Sequence, residues 1–222
     1  MLIEEPATVT VVHPGQVVTV DTLVEGIHFT RRTMSPFQIG HKALAANLSD
    51  IAAMGGVPTY FLISLAVSPD WTEQELKEIY AGMSRLAERY HVDLLGGDTV
   101  FSPHQLMISI TALGEVNEAT LLLRSQAKVG HKVFVTGALG LAAAGLDILL
   151  QGSPLDVDQS LFFPLLKAHQ EPEPHVQQGQ IIARLAQNEA VALNDVSDGL
   201  ASEANEIAQA SGTDLVLEKE KL

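Results

Sequence analysis

Residues 35–67, SPFQIGHKALAANLSDIAAMGGVPTYFLISLAV, decide the fold class. Ser35 followed by Pro36 opens a helix: the hydroxyl accepts from first-turn amides, and proline suits the first helical position. Gly55-Gly56 stops it just after Met54. The pattern is rich in alanine, so a neighbour packs closely on it. Residues 59–67 then read as a buried strand. Upstream, TVTVVHPGQVVTVD alternates apolar and polar around the turn signal Pro14-Gly15, which predicts two strands, with a third over 24–29. Downstream, Thr72 and Glu75 form a capping box for a helix reaching roughly Tyr90. VDLL at 92–95 is a short strand ended by Gly96-Gly97-Asp98, and QLMISITALGEV at 105–116 alternates as another. The first 116 residues therefore predict an α+β domain.

The pattern changes from about Leu123. HKVFVTG predicts a strand feeding a Gly- and Ala-rich helix near 139–150. Helices follow at about 158–169 and 174–188. AVALNDVS is strand-like and leads into a helix at 198–211 closed by Gly212, and a last strand begins at 214–218. The expected division is an N-terminal domain over 1–118 and a C-terminal α/β domain over 119–222, which reads as unfinished because its last strand has no continuation.

With 222 residues, 46% of them hydrophobic, the chain is long enough to bury a substantial core. It has no cysteine, which excludes disulfides, thiolate metal sites and a cysteine nucleophile. Its longest apolar runs are too short to span a bilayer, and MLIEEPATV has no signal-peptide pattern. A soluble, cytoplasmic protein is the expectation. The net charge of −14 argues against nucleic acid and anionic membranes as partners. It would also oppose a phosphate substrate unless divalent cations stood between protein and phosphate.

That points to the aspartates set among small residues: Asp21 in TVDT, Asp50 in NLSDIAAMGG, Asp98 in GGDT, and Asp195 and Asp198 in NDVSDGL. Mg²⁺ prefers oxygen ligands and commonly bridges carboxylates to phosphates, so carboxylates converging in the fold suit metal-assisted phosphoryl transfer. Each signal has an ordinary alternative. Asn47 and Asp50 share a helix face that binds a cation or is merely a solvated patch. GGDT is a ligand approach or a turn. Ser197 or Asp198 could simply cap the helix after it, which leaves Asp195 over. VTGALGLAAAG is neither a dinucleotide fingerprint nor a phosphate loop, and fits helix packing better. Arg124 could clamp phosphates or form a surface ion pair, and a lone strand His28 is usually structural.

Together, and in this order, VDTLVEGIHF, KALAANLSDIAAMGG, GGDT, LLRS, VTGALG and NDVSDGL resemble the thiamine-monophosphate kinase family. That family belongs to the superfamily of aminoimidazole ribonucleotide synthetase and selenophosphate synthetase. The resemblance covers nearly the whole chain. It implies an N-terminal β-rich domain that pairs with its twin in a homodimer, and ATP held through Mg²⁺ between it and the C-terminal domain. It further implies ATP-dependent phosphorylation of thiamine monophosphate to thiamine diphosphate. Asp21, Asp50, Asp98, Asp195 and Asp198 would be metal ligands, with Asp50, Asp98 and Asp198 at the reacting phosphates. Gly97, Asp98, Arg124 and Ser197 would contact ATP, and His28 would lie on the thiamine-phosphate side. The sequence departs from the family where Ile3-Glu4-Glu5-Pro6-Ala7 stands for a Gly-Asp-Asp-Ala-Ala segment, and at Val20, Gln126 and His131. A sister synthetase, or a dimeric Mg²⁺·ATP-binding module without turnover, are the other readings.

Overall fold

The computed structural model describes residues 9–13, 15–152, 162–186 and 189–218. Strands β1 (Val9–His13) and β2 (Gln16–Val24) form a hairpin, followed by helix α1 (Pro36–Ala53), strand β3 (Val57–Val67) and helix α2 (Glu73–Tyr90). Strands β4 (Asp93–Phe101) and β5 (Met107–Glu115) complete one sheet in the order β1-β2-β5-β3-β4. All neighbours run antiparallel except β3 and β4, which are parallel. This is the expected α+β architecture. Ser35 and Gln38 form a reciprocal capping box on α1, and Thr72 and Glu75 form the expected one on α2.

Alternation sorts the sheet into two faces. Val17, Thr19 and Leu23, Phe61, Ile63 and Leu65, and Ile108, Ile110 and Ala112 are buried on the helix-covered face. Val20, Tyr60, Leu62 and Met107 stand on the opposite face and are exposed. The alanine-rich α1 does have close neighbours. Gly40 meets the Ile79 carbonyl of α2, and Gly82 meets the Phe37 carbonyl of α1, so a Cβ at either would stand 1.9 Å from that oxygen.

The second half consists of α3 (Leu141–Gln151), α4 (Phe163–Gln170), α5 (Val176–Leu185) and α6 (Leu200–Ser211), with short 3-10 turns at Glu118–Thr120 and Arg124–Gln126 before them. It is held against the first half by several contacts. Gly179 of α5 lies on the Ala52 carbonyl. His41 Nε2 lies 3.0 Å from the Pro172 carbonyl, and Glu173 accepts from Arg89 at 2.7 Å and from the Tyr90 hydroxyl.

Three expectations are corrected. Residues 24–29 are a turn with one isolated bridge, because the Ile27 and His28 amides both bond to the Val24 carbonyl and Gly26 has φ +83°. GGDT does not end its strand but lies inside β4. The ladder on β3 passes Leu95 as a bulge and continues through Gly96, Gly97 and Asp98. Residues 131–137, 190–197 and 214–218 form no strand among the described residues. A strand exists only through its ladder partners, and the apolar pattern here finds none: Phe134 is 83% exposed and Val216 82%. Residues 3–7, 153–161, 187–188 and 219–222 lie outside the described residues, as does the start of the helix expected at 158–169.

Gly82→Ala tests the helix contact. The substitution gains helix propensity, but its methyl must push α1 and α2 apart. We expect a net loss of about 1–3 kcal/mol in urea unfolding; unchanged or raised stability would contradict the contact.

Candidate metal and phosphate site

The site is built around one buried carboxylate. Asp50 lies on α1 with 6% of its surface exposed and accepts a hydrogen bond from the Thr19 hydroxyl of β2. Asp21 is two residues further along β2, on the same face as Thr19. One turn back on α1, Asn47 is fully buried; its amide nitrogen donates to the Ala43 carbonyl at 3.0 Å. Its Oδ1 has no partner. The second half enters at Ser49, whose hydroxyl donates to Asp195 Oδ2 at 2.8 Å.

These groups feel one another. Burial, then the charges of Asp195 and Asp21, push the Asp50 carboxyl up to about 7, against the Thr19 bond and Arg124, which favour its charged form. Burial also raises the Asp21 carboxyl, with Asp195 and Asp198 adding to the effect and His28 opposing it. Burial raises Asp195 as well, reinforced by Glu206 and opposed by Ser49 and Arg124. Four of the five expected aspartates, one from β2, one from α1 and two from the loop before α6, therefore share one electrostatic neighbourhood.

A divalent cation fits this donor set. Crowded carboxylates that resist ionising gain most from a hard cation. The cage is not preformed, however: among the described residues no three acidic or histidine side chains lie close enough to hold an ion. Bridging the gaps would fall to phosphate oxygens and water, as is usual for Mg²⁺.

Asp98 is placed elsewhere. It pairs with Ser64 in register and shares that residue's face, away from the helices, on the edge strand β4. The Thr99 amide bonds its Oδ1 at 2.8 Å. Gly97 sits so close to β3 that a Cβ would stand 1.9 Å from the Ile63 carbonyl. His28 is exposed in the turn after β2, with Nδ1 accepting from the Val24 amide at 3.0 Å. Arg124 forms an ion pair with Glu206 at 2.5 Å.

Capping took an unexpected form. Helix α6 has Gly199 at its N-cap and no side-chain cap, so neither Ser197 nor Asp198 fills that role. The Ser197 and Asp198 amides instead donate to Glu203, at 3.2 and 2.8 Å. Glu203, Glu206, Thr19, Ser49 and Asn194 were missed in the sequence. The one available signal was an acid one turn into a helix whose entrance is SDG.

Comparison with known proteins identifies the family. The family pattern described as AIR synthase related protein, N-terminal domain, matches residues 4–116, and its C-terminal counterpart matches 128–222. The thiamine-monophosphate kinase of Bacillus subtilis (strain 168) is 49% identical over 201 residues, covering 88% of this chain and 59% of that protein. The thiamine-monophosphate kinase of Synechococcus elongatus is 40% identical over 205 residues, covering 91% and 62%. The chain thus spans about 60% of the length of these relatives. The structure of AaThiL complexed with AMPPCP and TMP superposes with a TM-score of 0.79 at 34% identity, over 89% of this chain and 60% of that one. The thiamine monophosphate kinase structure from Aquifex aeolicus gives 0.81 at 33% identity, over 95% and 68%. The Escherichia coli hydrogenase maturation protein HypE shares the fold at 18% identity and a TM-score of 0.69. The chain belongs to the AIR synthase related protein family, and its relatives there are thiamine-monophosphate kinases.

Proposed function

We propose that this protein phosphorylates thiamine monophosphate to thiamine diphosphate with ATP, by Mg²⁺-assisted in-line transfer. The observation that carries the reading is the convergence of Asp21, Asp50, Asp195 and Asp198 from both halves, with the Asp50 carboxyl pushed up to about 7 and the unpartnered Asn47 Oδ1 on the same helix one turn away. The relatives' names and the AMPPCP and TMP complex supply the substrates.

Mg²⁺ bound there would neutralise donor and acceptor phosphates and hold them in line. The protein's own part is positional. Asp21 and Asp50 present oxygens from the first half, and Asp195 and Asp198 from the second. Arg124, at the junction, steadies the donor phosphates, with the Ser197 segment on the same side. His28, adjoining Asp21, marks the acceptor side. The acceptor is itself a phosphate and already nucleophilic at neutral pH, so no strong general base is needed.

A homodimer belongs to the same reading. The uncovered sheet face carries Val20 (54% exposed), Leu62 (40%) and Val100 (51%), an apolar surface suited to a second copy. Asp98 and Gly97 lie on β4 at the border of that face, apart from the other aspartates. Their part in metal and ATP binding therefore calls for the second copy. A cytoplasmic setting accords with the reaction, and no helix among the described residues is long and apolar enough to cross a membrane.

Incubation with ATP, Mg²⁺ and thiamine monophosphate is expected to yield thiamine diphosphate on chromatography, and EDTA to abolish it. Mg²⁺·ATP binding without product would instead favour a nucleotide-binding module.

The raised Asp50 value gives a sign for the metal-free protein. A carboxyl at about 7 when folded and near 3.8 when unfolded binds more protons in the native state between those values. Stability should fall as pH rises from 4 through 7. We expect Tm to drop over that window, Mg²⁺ to restore it at pH 8, and Asp50→Asn to flatten the slope. A flat wild-type profile would contradict the crowding.

Leu62→Glu places a charge on the open sheet face of both copies. We expect light scattering to show a folded monomer; a persistent dimer would move the interface elsewhere.

A further inference from the structure

The loop carrying Asp195 and Asp198 lacks regular structure, yet it must present two carboxylates to the first half. One buried side chain organises it. Glu203, on the first turn of α6 and only 5% exposed, accepts from the Asp198 amide at 2.8 Å and the Ser197 amide at 3.2 Å. The Ser197 hydroxyl approaches the same Oε1 at 3.4 Å, and the Asn194 amide nitrogen donates to Oε2 at 3.2 Å. Asn194 also donates to Glu206 at 3.1 Å, and Glu206 holds Arg124. The two ends of the metal-bearing loop and the arginine at the junction are thus tied into one network.

The position is costly for an acid. Burial works against the charge of Glu203, and Glu206 and Asp195 add repulsion. A carboxylate is nonetheless well matched to its donors. It accepts from the two backbone amides just ahead of the Gly199 N-cap, at the end of α6 where the helix dipole favours negative charge. A residue serving α6 alone would need only one of these bonds. Glu203 bonds instead to Asn194, Ser197 and Asp198, so that its contacts bracket Asp195 and include Asp198 itself.

We propose that Glu203 is the positioning residue that fixes residues 194–198 so that Asp195 and Asp198 face Asp21 and Asp50. The functional half of the inference rests on the cation site proposed above. Glu203 does not touch the phosphates; it acts through the two aspartates. Partners of this kind behind metal ligands typically account for about 10- to 100-fold in metal affinity.

Two readouts on the full chain test it. The first is ¹⁵N relaxation of residues 194–198 without metal. Wild type should sit in the rigid range, with order parameters of about 0.85, and Glu203→Ala should fall below about 0.6. Glu203→Gln keeps an acceptor oxygen for the two amides and should remain near wild type. The second is Mn²⁺ titration followed by electron paramagnetic resonance. Glu203→Ala should bind about 10- to 100-fold more weakly at an unchanged Tm, with Glu203→Gln recovering most of the affinity. Should Glu203→Ala not fold, Glu203→Asp, one methylene too short to reach both amides, takes its place under the same criteria. A loop that stays rigid in the alanine or aspartate variant overturns the positioning role, as does unchanged Mn²⁺ affinity beside a mobile loop. Asp50→Asn separates the two levels. If it binds Mn²⁺ like wild type, the cation site falls and the functional half of the inference with it, while relaxation still decides whether Glu203 holds the loop.

Discussion

Everything in this fold leans on helix α1, which keeps a carboxylate out of water at the place where the two halves meet. Asp50 is buried under β2, against a backdrop of alanines, with one hydroxyl as its direct partner. A lone buried carboxylate is expensive, and it takes up a proton when nothing offsets its charge. Here the surroundings make ionisation harder still, because Asp21 and Asp195 add negative charge. Such a local conflict between burial and charge is what a functional site shows and a structural core avoids.

The remaining architecture supplies the rigidity that this conflict requires. Gly40 and Gly82 let α1 and α2 touch backbone to backbone, and Gly179 brings α5 onto the carbonyl of Ala52. The helix is therefore held by the sheet, by α2 and by the second half together. Ser49 then links it directly to Asp195. Small residues along α1 do two jobs: they allow close packing, and they keep bulk away from the carboxylates. The acidity of the whole chain accords with the proposed function, in which phosphates would be received through cations rather than through a basic pocket.

Much of this was legible from residue types. The Ser35-Pro36 start and the capping box at Thr72 gave α1 and α2 correctly, alternation gave β2 and β5, and the apolar run at 59–67 gave β3, because these are local rules. Residues 24–29 misled because alternation continues into a turn that Gly26 and the His28 ring redirect. The GGDT segment misled because two glycines read as a strand end, whereas Gly97 is needed for a close approach inside the ladder. The aspartates of the site were visible as small-residue motifs. Their partners were not: Thr19, Ser49, Asn194 and Glu203 are common residues whose meaning comes only from contacts 5 to 146 positions away in sequence. The separation of Asp98 from the other four was likewise invisible, since it depends on which face of β4 the bulge at Leu95 assigns to it.

The central claim is that carboxylates from both halves form one cation site at the phosphates. Anomalous diffraction from crystals grown with Mn²⁺ and a non-hydrolysable ATP analogue tests it most directly. The expected result is manganese density between the Asp21–Asp50 pair and the Asp195–Asp198 loop, in contact with the analogue's phosphates. Nucleotide bound with no metal between those two groups, or manganese confined to other acidic residues, would contradict it.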